Sequence, residues 1–109
     1  MAVSYKVLGQ SYPAAATTTT IYTVGTGTAA VVSTIVVCNQ TSTSATYRIA
    51  IKPTADTLST LHYVAYNAVV PALDSVSLTV GMTLGAAENI IVYSSNSSTS
   101  FNAFGTEIV

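Results

Sequence analysis

His62 is the one histidine in this chain of 109 residues, Cys38 the one cysteine, and Asp56, Asp74, Glu88 and Glu107 the only carboxylates. A serine triad needs a histidine held between a hydroxyl and a carboxylate, so His62 would have to recruit one of many ordinary serines. It reads instead as a strand histidine on a surface or interface. A zinc site needs several imidazole or thiolate ligands, which these two residues do not supply. Paired carboxylates can act as general acid and base, but each of the four stands in or beside a turn or strand end, where capping and solubility are their ordinary work. The sequence therefore assigns no catalytic residue, no cofactor site and no metal ligand, and the expectation is a protein without enzymatic activity.

Other chemistry is excluded by pattern. Gly25-Thr26-Gly27 follows a strand but precedes a β-branched run, whereas a phosphate-cradling loop needs a helix N-terminus. Three basic against four acidic side chains leave a net charge of −1 and no basic patch to track a phosphate backbone, so no nucleic-acid partner is expected. The triplets Asn39-Gln40-Thr41 and Asn96-Ser97-Ser98 match the glycosylation acceptor, yet the N-terminal stretch does not read as a secretory signal, and the match is expected to be compositional. Of the seven tyrosines, Tyr47, Tyr63, Tyr66 and Tyr93 fall in predicted strands, where core packing with the hydroxyl at the rim is the usual role. A sugar-binding platform of exposed aromatics is the minority alternative. Arg48 and Lys52 share the outward face of one strand, and either pair with a neighbouring subunit or keep that face wet.

Short strands must position all of these. The organising stretch is Ala29 to Lys52, predicted as the central hairpin of an antiparallel domain. In Val31 to Val37 five of seven residues are valine or isoleucine, which fit a pleated sheet better than a helix, and Cys38 follows as a small buried hydrophobe. Both faces of that run are apolar, which predicts burial on both sides. Ala45 to Lys52 alternates with a period of two, giving one core face and one wet face. Asn39 to Ser44 is the polar turn between them.

In chain order, Val3 to Leu8 is a first strand ended by Gly9. Residues 9–20 form an extended connection or arm, lying on a neighbour or folded back on their own sandwich. Ile21 to Val24 is a strand closed by the glycine turn at 25–27. Pro53 to Ser59 is a polar connection, Leu61 to Asn67 a strand that Val69 and Val70 continue past a bend, and Val76, Leu78 and Val80 alternate with polar residues. Gly81 to Gly85 is a bend or short strand. Ile90 to Tyr93 follows, and Asn96 to Thr99 is a hairpin turn into Phe101 to Val109. The fold class is all-β: one domain, 1–109, an antiparallel β-sandwich of about eight short strands, jelly-roll or immunoglobulin-like in order.

Half the residues are hydrophobic and only 6% are charged, against roughly 25% in ordinary soluble domains. No apolar stretch reaches the roughly 18 residues of a spanning helix, and a transmembrane barrel would need more strands and aromatic girdles, so no membrane partner is expected. The N-terminal stretch lacks a signal-peptide core, which is consistent with cytosolic folding. Such a low charge leaves little repulsion between copies. An ordinary neutral β-domain with a threonine-rich surface would show it; the favoured reading is a surface covered by identical or different subunits, with the chain itself as a homo-oligomer the expected partner.

The succession IYTV at 21–24, AVVSTIVVCN at 30–39, YRIAI at 47–51, HYVAY at 62–66, LTVGMTL at 78–84 and FNAFGTEI at 101–108 resembles small virion structural proteins of tailed bacteriophages, particularly phages of aquatic bacteria such as cyanophages. The family typically carries a proline near where Val24-Gly25 stands here. The resemblance implies a non-enzymatic virion component assembled in the host cytoplasm, most simply a capsid decoration or cement protein. Its partners would be itself, commonly as a trimer, and the major capsid protein or neck and tail proteins. The alternative is a neck, tail, baseplate or fibre-associated module that is structural or binds host glycans.

Overall fold

The computed structural model describes residues 2–53 and 57–109. The expectations on Asp56, and on the side chain of Val80, lie outside the described residues. Eight strands follow in order: β1 Val3–Ser11, β2 Thr19–Thr23, β3 Ala29–Asn39, β4 Ala45–Lys52, β5 Tyr63–Val70, β6 Ser75–Leu84, β7 Asn89–Ser94 and β8 Thr99–Ile108, with a 3-10 turn Thr60–His62 before β5. They form two four-stranded sheets, β1-β8-β3-β6 and β2-β7-β4-β5. Every pairing is antiparallel.

The pairs nest as β1 with β8, β2 with β7, β3 with β6 and β4 with β5. This is one long antiparallel ribbon rolled on itself, and it is a jelly roll rather than the immunoglobulin-like order. It also corrects the central hairpin. β3 and β4 belong to different sheets, so Asn39 to Ser44 is an arch across the core. The turn at 96–99 is likewise an arch from β7 to β8 rather than a hairpin turn. A polar loop of this length serves either purpose; the partner is chosen by which apolar rows meet. The inner row of β3, with Val32, Ile35 and Val37, faces that of β4, with Tyr47 and Ile49, and all five are buried in one core with Phe101, Ile90 and Val92.

Several local expectations change for related reasons. Gly9 does not end β1, which runs on to Ser11 through a register shift between Val7 and Gly9. Nor is 81–85 a bend: β6 continues to Leu84, with Gly81 taking a left-handed φ of +59°. β3 buries only its inner row. Val31, Val36 and Cys38 on the other side are half-buried, so burial on both faces is not realised and Cys38 is not a core residue. Residues 12–18 cross from one sheet to the other, with the Ala16 N–H donating to Ser94 O at 2.8 Å. The Val24 N–H donates to Glu88 O at 3.0 Å, a bond no proline at that position could make.

One end of the sandwich is closed by a polar knot. Asn39, 1% exposed, donates through Nδ2 to the carbonyls of Thr43, Val70 and Pro71 at 2.7, 3.3 and 3.2 Å. Its Oδ1 accepts from the Thr41 N–H and hydroxyl and from Asn96 Nδ2. Asn96 Oδ1 in turn accepts from the Ser98 N–H and the Thr99 hydroxyl. Three crossings between the sheets, β3–β4, β5–β6 and β7–β8, are thereby tied by two asparagines.

Candidate functional site

The residues that could have carried chemistry are dispersed. His62 is buried, and its Nδ1 accepts the Ser59 N–H at 3.0 Å, closing the short 3-10 turn. Asp74 accepts the Ser75 N–H and Glu88 the Gly85 N–H, each capping its own turn. Among the described residues no three of His, Cys, Asp and Glu come together as metal ligands, and no cavity is found. No helix of the described residues is long and apolar enough to cross a membrane. What the fold builds instead is two contrasting outward faces and one ionic lock.

The lock is Glu107. Its carboxylate accepts the Tyr22 hydroxyl at 2.5 Å and lies 2.6 Å from Lys6 Nζ, joining β8, β2 and β1 at the end of the core. The sequence placed Glu107 among the turn-capping and solubilising acids; here it is a strand residue bonded across the sandwich. The hydrogen bond from Lys6, then that from Tyr22, holds the Glu107 carboxyl below its usual range. Burial, reinforced by the adjacent carboxylate, pushes the Tyr22 phenol up. A depressed carboxyl stabilises the fold above its unfolded pKa near 4.5, and the contribution is lost as pH falls through the lower folded value. A raised phenol acts at the other end: stability is complete below about 10 and declines at more alkaline pH. We expect a denaturant midpoint that is flat between these limits and falls on both sides. Glu107→Gln should flatten the acid limb, and an unchanged acid limb would show the lock is not engaged.

That lock has a consequence for the outside of its sheet. The strands β1, β8, β3 and β6 carry only two charged residues, Lys6 and Glu107, and both turn to the interior side to meet each other. The outward face is left with no charged side chain. It presents Val3, Tyr5 and Val7 from β1, Phe104 from β8 and Val31 and Val36 from β3, between threonines, serines, Asn102 and Gln10. Tyr5 is 84% exposed and Phe104 36% exposed. Exposed apolar side chains grouped on an uncharged face are one physical mark of an interaction site.

The opposite sheet is built differently. The Arg48 guanidinium lies between the rings of Tyr66 and Tyr93, at 4.3 and 4.2 Å from their centroids, and its Nε donates to Asn67 Oδ1 at 2.7 Å. Tyr63 meets Tyr66 edge to face at 5.0 Å. Such stacking is favourable where the guanidinium is partly desolvated. Within the chain, then, the Arg48 guanidinium is held by two rings and an amide on the outer surface of its sheet. The expectation of core tyrosines holds for Tyr47 alone, while Tyr63, Tyr66 and Tyr93 decorate the outer surface. Strict alternation would put Tyr63 and Tyr66 on opposite faces; the register shift that sets Ala65 opposite Ile49 and Tyr63 opposite Ala50 brings them together.

An eight-stranded jelly roll with one uncharged outward face and one clad in tyrosine is the class of protein this geometry defines. Compared with known proteins, the chain matches no family model and no curated protein.

Proposed function

We propose that this chain is a non-enzymatic structural component of a phage particle, a capsid-decorating or cement protein that stabilises the shell by homo-oligomeric and subunit-bridging contacts. The observation that carries the reading is the uncharged outward face of the β1-β8-β3-β6 sheet. Burying charge without a partner costs several kcal/mol per ion, and this face asks none of that of whatever covers it. A standard interface buries about 800 Å² per partner. Four strands about 4.8 Å apart, each about ten residues long, span roughly 600 Å² in projection, so the face is of the right scale. The resemblance of the strand motifs to small virion proteins supports the same reading.

The test is a density map of the virion whose genome encodes the chain, together with cosedimentation of the purified chain and particles lacking it. Copies at regular positions on the shell are expected, with Val36→Lys reducing retention about tenfold or more by burying an unpaired charge. A chain that ignores both heads and tails overturns the proposal. The exposed Tyr66 beside the Asn67 amide favours a second reading, a tail- or fibre-associated module that binds host glycans. Glycan-array binding abolished by Tyr66→Ala, with no retention on heads, would put that reading in its place.

A further inference from the structure

Each sheet has two edge strands, and each of the four carries an irregularity. β6 carries the left-handed Gly81, β5 the left-handed Asn67 with two register shifts, and β2 is five residues long with a shift between Thr20 and Tyr22. Bulges and short strands are the ordinary means of keeping an edge from pairing with another chain. β1 differs. Its irregularity comes after Val7, leaving Val3 to Val7 regular with the exposed apolar row Val3, Tyr5 and Val7, where the regular stretch of β6, Ser75 to Thr79, exposes only Ser75, Ser77 and Thr79. Among the described residues no strand pairs with the far side of β1. The one charge there, Lys6, is already held by Glu107 at 2.6 Å.

The direction of the free backbone groups follows from one pair. Ala2 and Val109 exchange both main-chain hydrogen bonds, at 3.0 and 2.9 Å. Antiparallel ladders alternate, so Ser4 and Lys6 bond towards β8, and the N–H and C=O groups of Val3, Tyr5 and Val7 point to the open side. We propose that this edge pairs with the same edge of a second copy, antiparallel about a two-fold axis at Tyr5, to make a continuous eight-stranded sheet.

The register is self-complementary. Tyr5 lies opposite its own copy, Val3 opposite Val7, and Lys6 opposite Ser4, so no like charges meet and the apolar pairs fall on one face. The three outward-pointing residues of each copy supply about six main-chain hydrogen bonds. Pairing also joins the two uncharged faces into one platform twice as wide. The inference deepens the proposed function and rests on its reading of the chain as self-associating.

Sedimentation equilibrium of the full chain tests it, with circular dichroism melting as the control for folding. A dimer is expected, and Tyr5→Lys, which sets two ammonium groups against each other at the axis, should raise its Kd about tenfold or more while leaving the Tm measured at concentrations below the dimer Kd unchanged. Thr34→Lys puts a charge on the outward face away from the edge and should leave the dimer intact. Tyr5→Cys in a Cys38→Ser background should form a covalent dimer on mild oxidation, because bonded antiparallel pairs hold Cα atoms about 5.5 Å apart, within reach of a disulfide. A monomer at every concentration, a trimer, a dimer indifferent to Tyr5→Lys or one dissolved by Thr34→Lys would each overturn the pairing. A monomer that still coats particles would sink the pairing alone; a β1-paired dimer that ignores particles would sink only the virion reading.

Discussion

Replacing Asn39 with alanine is expected to remove about 3 to 5 kcal/mol of folding stability. The side chain is a sixfold junction: three carbonyls accept from its Nδ2, and the Thr41 N–H, the Thr41 hydroxyl and Asn96 Nδ2 donate to its Oδ1. A buried polar group left without a partner costs about 1 to 3 kcal/mol, and alanine would orphan several at once. Some would reach water at the arch ends, which limits the total. For a domain of this size the loss corresponds to a fall in Tm of about 15 °C or more. Asn39→Asp keeps the acceptor and loses the three donated bonds, so it should recover only part of the loss. A chemical-denaturation difference under about 1 kcal/mol for Asn39→Ala would show that the knot does not hold the arches together. The same burial means that Asn39, despite its acceptor triplet, offers no amide nitrogen to a glycosylating enzyme once folded.

The second large effect is expected at Gly105. A Cβ placed there would lie 2.1 Å from Val31 O and 3.0 Å from both Val31 C and a Leu8 methyl, and one at Gly9 would lie 2.1 Å from Ile21 O. Backbone cannot yield as a side chain does, so relief requires β3 or β2 to move away from its neighbour. We expect Gly105→Ala and Gly9→Ala each to cost about 3 kcal/mol or more, beyond ordinary overpacking. Gly27→Ala and Gly81→Ala are the controls. Both positions have positive φ but open space, so only left-handed strain of about 1 to 2 kcal/mol applies. If all four variants melt alike, close approach is not what these strands require of Gly9 and Gly105.

The pattern of β-branched residues was sufficient for the strands themselves. Ala45 to Lys52 alternates in the sequence and forms β4 over those bounds, because a period of two has one physical solution when one face meets a core. The clean alternation of Val76 and Leu78 with serines likewise marks the inner row of β6. Legibility failed where two distant segments had to be brought together. The Arg48 and Tyr66 contact depends on bulges that flip parity, and no count of residues reveals a bulge in advance. The uncharged face is assembled from β1, β8, β3 and β6, which are scattered through the chain and adjacent only after rolling. The role of Glu107 is hidden in the sequence for the same cause: its partners Tyr22 and Lys6 lie far away along the chain.

By itself, then, the chain's order of residues determined an antiparallel sandwich of short strands, nearly without charge, because side-chain branching and alternation act over a few neighbouring positions. Tertiary structure alone decided that the apparent central hairpin is an arch, that the order is a jelly roll, and that the two charges of one sheet turn inward. Those outcomes are set by which apolar rows exclude water together and which buried polar groups find partners, and both are properties of contacts between segments that the linear pattern does not record.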